Sequence, residues 1–106
     1  MNIRLFDIAD VIRSKNSGPY ELTFDIIFKE LGWMHKVEAA GIFTPESFAA
    51  LYGISPADVL SIIYFSPAKA VKITIRRPIC SGGLGETDVY GAQQHGPLLY
   101  LTFELT

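Results

Sequence analysis

Side chains that could take part in catalysis or ligand binding are concentrated in Thr87–Pro97. This segment shows neither helical nor strand periodicity, and it stands directly before the apolar C-terminal residues. Asp88 and His95 could act as an acid–base pair, because a carboxylate and an imidazole are both able to transfer protons to a substrate. The other groups that could bind a planar polar substrate belong to Tyr90, Gln93 and Gln94. We therefore predict that Thr87–Pro97 forms part of a site.

A second polar segment, Arg13–Pro19, precedes the first predicted strand. Its cationic side chains suit an anion, and backbone amides around Asn16–Gly18 could form an anion-binding nest. The predicted ligand-binding residues of this segment are Arg13, Ser14, Lys15 and Asn16. Because adjacent strands can bring the loops before them to one edge of a sheet, we expect both polar segments to share a pocket. A small carboxylate or a thioester-linked acid would suit such a pocket.

Each of these features also has a purely structural interpretation. A polar loop containing Gly91 and Gly96 often forms only a turn whose side chains satisfy its own backbone. A lone His95 often serves as a hydrogen-bonded structural residue. Cys80 is the only cysteine, so it allows no internal disulfide, and it would be reactive only if a group such as His95 favoured its thiolate. A zinc site needs several Cys or His ligands, so we predict no metal. We also predict no cofactor.

Composition restricts the classes of function open to the chain. With 106 residues it is long enough for one hydrophobic core and too short for two, so residues 1–106 are predicted to form a single domain. The net charge of -2 provides no basic surface for nucleic acid. The first residues lack the apolar run of a secretory signal, and the apolar stretch Val59–Ala68 is about half the length of a transmembrane helix. A cytoplasmic protein without membrane association is expected.

Hydrophobic periodicity predicts helices near the N-terminus and in the middle of the chain, with strands around them. The predicted helices are a short one through Leu5, Ile8 and Ile12 that ends near Arg13, one over Lys29–Ala40, and one from Thr44 to Gly53. The predicted strands are Tyr20–Phe28, Leu60–Phe65, Val71–Arg76 and Leu99–Leu105.

These elements predict an α+β fold, a ferredoxin-like two-layer sandwich with a four-stranded, mainly antiparallel sheet and helices on one face. The short link between Leu60–Phe65 and Val71–Arg76 favours an antiparallel hairpin. A ferredoxin-like order would also place a second crossover helix between Arg76 and Leu98, but no helical pattern is evident there. We therefore expect the polar segment Thr87–Pro97 to replace that helix.

The two polar segments together resemble the signature stretches of a small bacterial family of unknown function. The first reads RSKNSGPYELTFD over residues 13–25, and the second reads TDVYGAQQHGPLL over residues 87–99. Members of that family are about as long as this chain and are typically encoded beside, or fused to, a larger protein similar to the acyclic terpene utilisation protein AtuA. The opening LFDIA of residues 5–9, followed by Arg13 and Ser14, also resembles the start of the C-terminal ferredoxin-like domain of AtuA.

The resemblance implies a small accessory subunit of the AtuA type. Such a subunit would bind an AtuA-like partner, or would form a homo-oligomer, and would contribute to a complex that handles organic-acid or acyl-CoA intermediates. Two alternatives stay open. The chain could be an independent lyase or hydratase, with His95 or Asp88 as the base and Arg13 or Lys15 holding a carboxylate. It could also be a non-catalytic ligand-binding or structural domain.

Overall fold

The computed structural model describes residues 1–18, 20–76 and 96–105. This part of the chain contains two antiparallel sheets, four α-helices and two single-turn 3-10 helices, Pro56–Asp58 and Ser66–Ala68. The strands are β1 (Asn2–Arg4), β2 (Ala9–Gly18), β3 (Glu21–Phe28), β4 (Val59–Phe65), β5 (Ala70–Arg76) and β6 (Thr102–Glu104). The helices are α1 (Leu5–Ile8), α2 (Leu31–Ala39), α3 (Pro45–Tyr52) and α4 (Gly96–Leu99). None of these helices has the length and hydrophobicity needed to cross a membrane.

The main sheet has the strand order β2-β3-β5-β4, and every neighbouring pair is antiparallel. It consists of two hairpins, β2–β3 and β4–β5, which are connected by α2 and α3. Because β5 lies between β3 and β4, those two strands run parallel to each other, as in a split β-α-β unit. The second sheet is smaller and pairs β1 with β6. The α+β class and the four-stranded antiparallel sheet are thus confirmed.

The prediction for the N-terminal region was wrong. The expected helix ends at Ile8, and the residues expected to form a turn lie in β2, which runs to Gly18 and pairs with β3. Leu5 and Ile8 do lie in a helix, α1, and both are buried. Beyond them, Val11 and Ile12 are β-branched and favour a strand once β3 offers a partner. Tertiary pairing therefore overrides the local pattern.

The last strand also differs from its prediction. Residue Leu99 ends α4, and β6 pairs with β1 instead of joining the main sheet. The ends of the described chain hold this arrangement together, because the backbone N–H of Leu5 donates to the carbonyl of Leu101 at 2.9 Å and the N-terminal ammonium of Met1 donates to the carbonyl of Leu105 at 2.9 Å. Since β2 takes the edge position expected for the last strand, the predicted ferredoxin-like order is not confirmed.

Helix α3 begins and ends where its local sequence predicts. The Oγ1 of Thr44 accepts a hydrogen bond from the N–H of Ser47 at 3.0 Å, and the Oγ of Ser47 accepts one from the N–H of Thr44 at 2.9 Å. This reciprocal pair satisfies backbone donors that the first turn leaves unbonded. Gly53 follows the helix with φ of 67°, a left-handed conformation that glycine adopts without strain.

The hydrophobic core lies between α2, α3 and one face of the main sheet. The sheet contributes the alternate residues of its inner strands, which are Leu22, Phe24, Ile26 and Phe28 of β3 and Val71, Ile73 and Ile75 of β5. The helices contribute Met34 and Val37 of α2 and Phe48 of α3. These side chains are buried and form one cluster, so the helices cover a single face of the sheet.

Two tyrosines in this layer make the stability of the fold sensitive to high pH. Burial, with a smaller contribution from Glu38, raises the pKa of Tyr64 to about 12. Burial also raises the pKa of Tyr52 above its usual value. An unfolded tyrosine loses its proton near pH 10, while the folded protein retains both protons. Stability is therefore complete below about pH 10 and falls as the pH rises beyond it, because deprotonation then favours the unfolded chain.

Urea denaturation between about pH 8 and about pH 11 tests this sensitivity. We expect the unfolding free energy to fall over that interval, and to fall less in Tyr64→Phe, which has no phenolic proton at this position. Equal losses in the variant and the wild type would show that Tyr64 does not contribute to the alkaline transition.

Candidate ligand-binding site on the open face of the sheet

The face of the main sheet opposite α2 and α3, which we call the open face, carries a regular arrangement of side chains. Cross-strand pairing places them in three rows, each with one residue from β2, β3, β5 and β4 in that order. The apolar row is Val11, Ile27, Ala70 and Phe65; the charged row is Arg13, Asp25, Lys72 and Ile63; the hydroxyl row is Lys15, Thr23, Thr74 and Ser61. Residues two positions apart in a strand share a face, so the rows lie about 6–7 Å apart.

The charged and apolar rows frame a groove of about 400 Å³. Its lining consists of Arg13, Lys15, Asp25, Ile27, Ile63, Phe65, Ala68, Ala70 and Lys72. Ile63 is 54% exposed and Phe65 is 58% exposed, although both are large apolar side chains. Two such neighbours on one strand form an exposed apolar patch beside the charged groups, which is a common property of binding surfaces.

An ion pair joins the neighbouring strands β2 and β3 at this site. The Nε of Arg13 donates to the Oδ2 of Asp25 at 3.1 Å. The side chain of Asp25 is only 12% exposed, whereas that of Arg13 is 58% exposed. The guanidinium therefore covers the carboxylate and supplies the partner that a nearly buried charge requires. This pair also fixes the position of Arg13 on the open face.

The groove has an excess of positive charge. Its lining contains three cations, Arg13, Lys15 and Lys72, and one carboxylate, Asp25, which gives a local charge of about +2. Among the described residues, neither lysine forms an ion pair. Because the whole chain has a net charge of -2, this surface differs in sign from the average of the molecule. The groove can therefore attract and orient an anion.

The hydroxyl row adds polar groups beside the lysines. The Oγ1 atoms of Thr23 and Thr74 lie 3.4 Å apart, and either can be the donor. Thr23 is buried although it lies on the face opposite the core. The open face thus changes across its rows from apolar to charged to hydroxylated. Such a gradient suits a ligand or a partner surface that has one apolar end and one polar end.

Comparison with known proteins identifies the family. Residues 5–102 match the family described as domain of unknown function, DUF4387. The chain belongs to this family. The match contains all four strands of the main sheet and hence the whole open face. No curated protein and no solved structure matches the chain.

The structure of this DUF4387 domain separates the four ligand-binding residues predicted in the first polar segment. They lie in strand β2 and not in a loop, so they alternate between the two faces of the sheet. Arg13 and Lys15 lie on the open face and line the groove. Ser14 and Asn16 lie on the opposite face, where they pair with Phe24 and Leu22 and where Ser14 is buried. Only the two cations are therefore brought together.

The predicted residues of the second polar segment lie outside the described residues. They are Asp88, Tyr90, Gln93, Gln94 and His95, and Cys80 also lies outside. Their acid–base and binding roles, and the meeting of the two polar segments, stay predictions. The end of the segment is described, since Gly96 and Pro97 begin α4. Leu99 at the end of α4 lines a depression together with Ala9 and Ile12, so α4 lies beside the first half of β2.

Several residues of the groove were not predicted from the sequence, namely Asp25, Lys72, Ile63 and Phe65. Their signal was the alternation of polar and apolar residues along each strand, which assigns them to the face opposite the core. Within residues 1–18, 20–76 and 96–105, no group of His, Cys, Asp and Glu side chains could hold a metal ion. The described site is thus made of cations, hydroxyls and apolar side chains.

Proposed function

We propose that this DUF4387 domain is a small accessory subunit that binds a larger AtuA-like protein through the open face and contributes to an organic-acid or acyl-CoA catabolic activity. The observation that carries the proposal is the exposure of Ile63 and Phe65 beside Lys72, in a groove that Arg13 and Lys15 also line. The resemblance of the two polar segments to proteins encoded beside AtuA-like proteins supports the choice of partner.

The chemistry of the open face fits a protein interface. Aromatic and arginine side chains are enriched at the centres of interfaces, and an apolar patch with a polar border excludes water from the contacts at its centre. Phe65 and Ile63 provide such a patch at the edge strand β4, while Lys72, the cross-strand neighbour of Ile63, borders it. The positive charge of the groove requires acidic groups on the facing surface of the partner or on a ligand bound between them.

Replacing the aromatic anchor tests the proposal. The chain is co-expressed with an AtuA-like protein, and complex formation is measured by size-exclusion chromatography with light scattering and by titration calorimetry. Phe65→Glu is expected to weaken the complex at least about 30-fold, since the loss of a central aromatic contact costs about 2 kcal/mol or more and the new carboxylate must also be desolvated.

Tyr100→Glu is the matched control for this measurement. Tyr100 is an aromatic residue that is 82% exposed, and it does not line the groove. We expect its variant to bind as the wild type does. The proposal fails if the two wild-type proteins elute separately, or if Phe65→Glu forms the complex with undiminished affinity.

A further inference from the structure

We infer that the groove of the open face binds an amphipathic carboxylate, with the carboxylate held by Lys72 and Lys15 and the hydrocarbon body lying on the apolar row. This inference rests on the proposed function, in which the domain and its partner share an organic acid, and it specifies the ligand class, its orientation and the residue that anchors it. The ligand would be a monocarboxylate with a short acyl chain.

The position of Lys72 makes it the central cation of the site. It lies on the inner strand β5, paired with Asp25 on one side and with Ile63 on the other. Asp25 is already matched by Arg13 through a 3.1 Å hydrogen bond. Lys72 therefore has no ion pair among the described residues and can donate to a ligand carboxylate. Lys15 lies in the adjacent row, on the same side of the sheet.

The apolar row determines how the ligand lies. Ile27, Ala70 and Phe65 form a continuous apolar strip across three neighbouring strands. The distance of about 6–7 Å between this strip and the charged row equals the reach of a short acyl chain. A ligand with its carboxylate at Lys72 would therefore place its methylene groups against Phe65 and Ile27.

The size and charge of the groove distinguish this ligand from other anions. A groove of about 400 Å³ is at the small end of the range for ligand sites, so it suits a short chain. Inorganic phosphate would use the cations and leave the apolar strip uncovered. A neutral alcohol of equal length would cover the strip and leave the lysines without a partner. An amphipathic anion uses both halves of the groove, and a short-chain carboxylate is the one that agrees with the organic-acid role proposed above.

Titration of the 106-residue chain with hexanoate, followed by two-dimensional amide NMR, tests the inference. We expect hexanoate to shift the amide resonances of β3, β4 and β5 on the open face, and to bind at least about tenfold more tightly than acetate, 1-hexanol or inorganic phosphate, because each of these lacks one of the two contacts. Equal binding of hexanoate and phosphate would overturn the inference, as would equal binding of hexanoate and hexanol.

Lys72 variants identify the anchoring residue. Lys72→Gln is expected to weaken hexanoate binding about tenfold or more, since a hydrogen bond to a charged group is lost. Lys72→Arg keeps the charge and is expected to bind within about threefold of the wild type. Lys36→Gln is the matched control, because Lys36 lies on α2 against the ring of Trp33, far from the groove lining. If Lys72→Gln binds hexanoate like the wild type, Lys72 is not the anchor and the inference is wrong.

Measurements on the wild-type chain separate this inference from the proposed function. If the wild-type chain forms the complex but does not bind hexanoate, alone or in the complex, the inferred ligand class is wrong and the accessory role is still supported. A chain that binds hexanoate through Lys72 but forms no complex supports the ligand site and overturns the accessory role.

Discussion

Replacing Phe24 with alanine is expected to lower the free energy of unfolding by about 3–5 kcal/mol. Phe24 lies on the inner strand β3 and is completely buried. Its ring packs against Phe48 with a centroid distance of 5.1 Å and against Tyr52 with a centroid distance of 4.8 Å. The truncation removes both aromatic contacts and leaves a cavity between α3 and the sheet, which the surrounding elements can fill only in part.

Urea denaturation of the variant and the wild type measures this loss. Tyr20→Ala serves as the control, because Tyr20 is an exposed aromatic residue just before β3. We expect the control to change the unfolding free energy by no more than about 0.5 kcal/mol. A loss below about 1 kcal/mol in Phe24→Ala would show that α3 does not pack on β3 as described.

The parts of the fold that local signals determine were predicted correctly. The N-cap residue Thr44 and the glycine at position 53 delimit α3 as predicted, and each acts within a few residues of the helix end. The alternation of Lys72 and Thr74 with their apolar neighbours, together with a short link, is sufficient to predict the β4–β5 hairpin. In such cases the information lies within the element itself.

Strand β2 shows why the remaining parts could not be predicted. Leu5, Ile8 and Ile12 recur at helical spacing, yet Ile12 lies in a strand because β3 provides a ladder of hydrogen bonds to pair with. The pairing with β3 is a tertiary contact, so the residues of β2 alone do not indicate it. The same reason explains β6, whose alternating pattern is correct for a strand but does not indicate which strand it pairs with.

The candidate site depends on cross-strand register in the same way. From the sequence we predicted Arg13 and Lys15 as ligand-binding cations, but we expected them in a loop beside a second loop, whereas they lie in β2. Alternation indicates that Lys72 lies opposite the core, but it does not indicate that β5 and β3 are neighbours. The row that joins Arg13, Asp25 and Lys72 exists only once three strands are in register. The residue types were therefore predictable, and their assembly into one groove was not.

The assignment of β5 residues to the core face or the open face of the sheet can be tested by introducing asparagine at each of two adjacent positions. Ile73→Asn is expected to lower the unfolding free energy by at least about 4 kcal/mol, because it removes a buried side chain and leaves a buried amide without a partner. Ile73 is completely buried on the inner strand β5. Since domains of this size are stable by about 5–15 kcal/mol, this loss would remove a large share of the stability and move the urea midpoint far below that of the wild type.

Lys72→Asn places the same residue one position earlier, on the open face, and is expected to cost no more than about 1 kcal/mol. Both variants introduce the same low strand propensity into the same strand, so the difference between them measures burial alone. Circular dichroism and urea denaturation of the two proteins provide the comparison. If Lys72→Asn were as destabilising as Ile73→Asn, residue 72 would be packed in the interior. The groove, the cationic site and the docking surface would then all be excluded, because each requires that this face of the sheet be accessible.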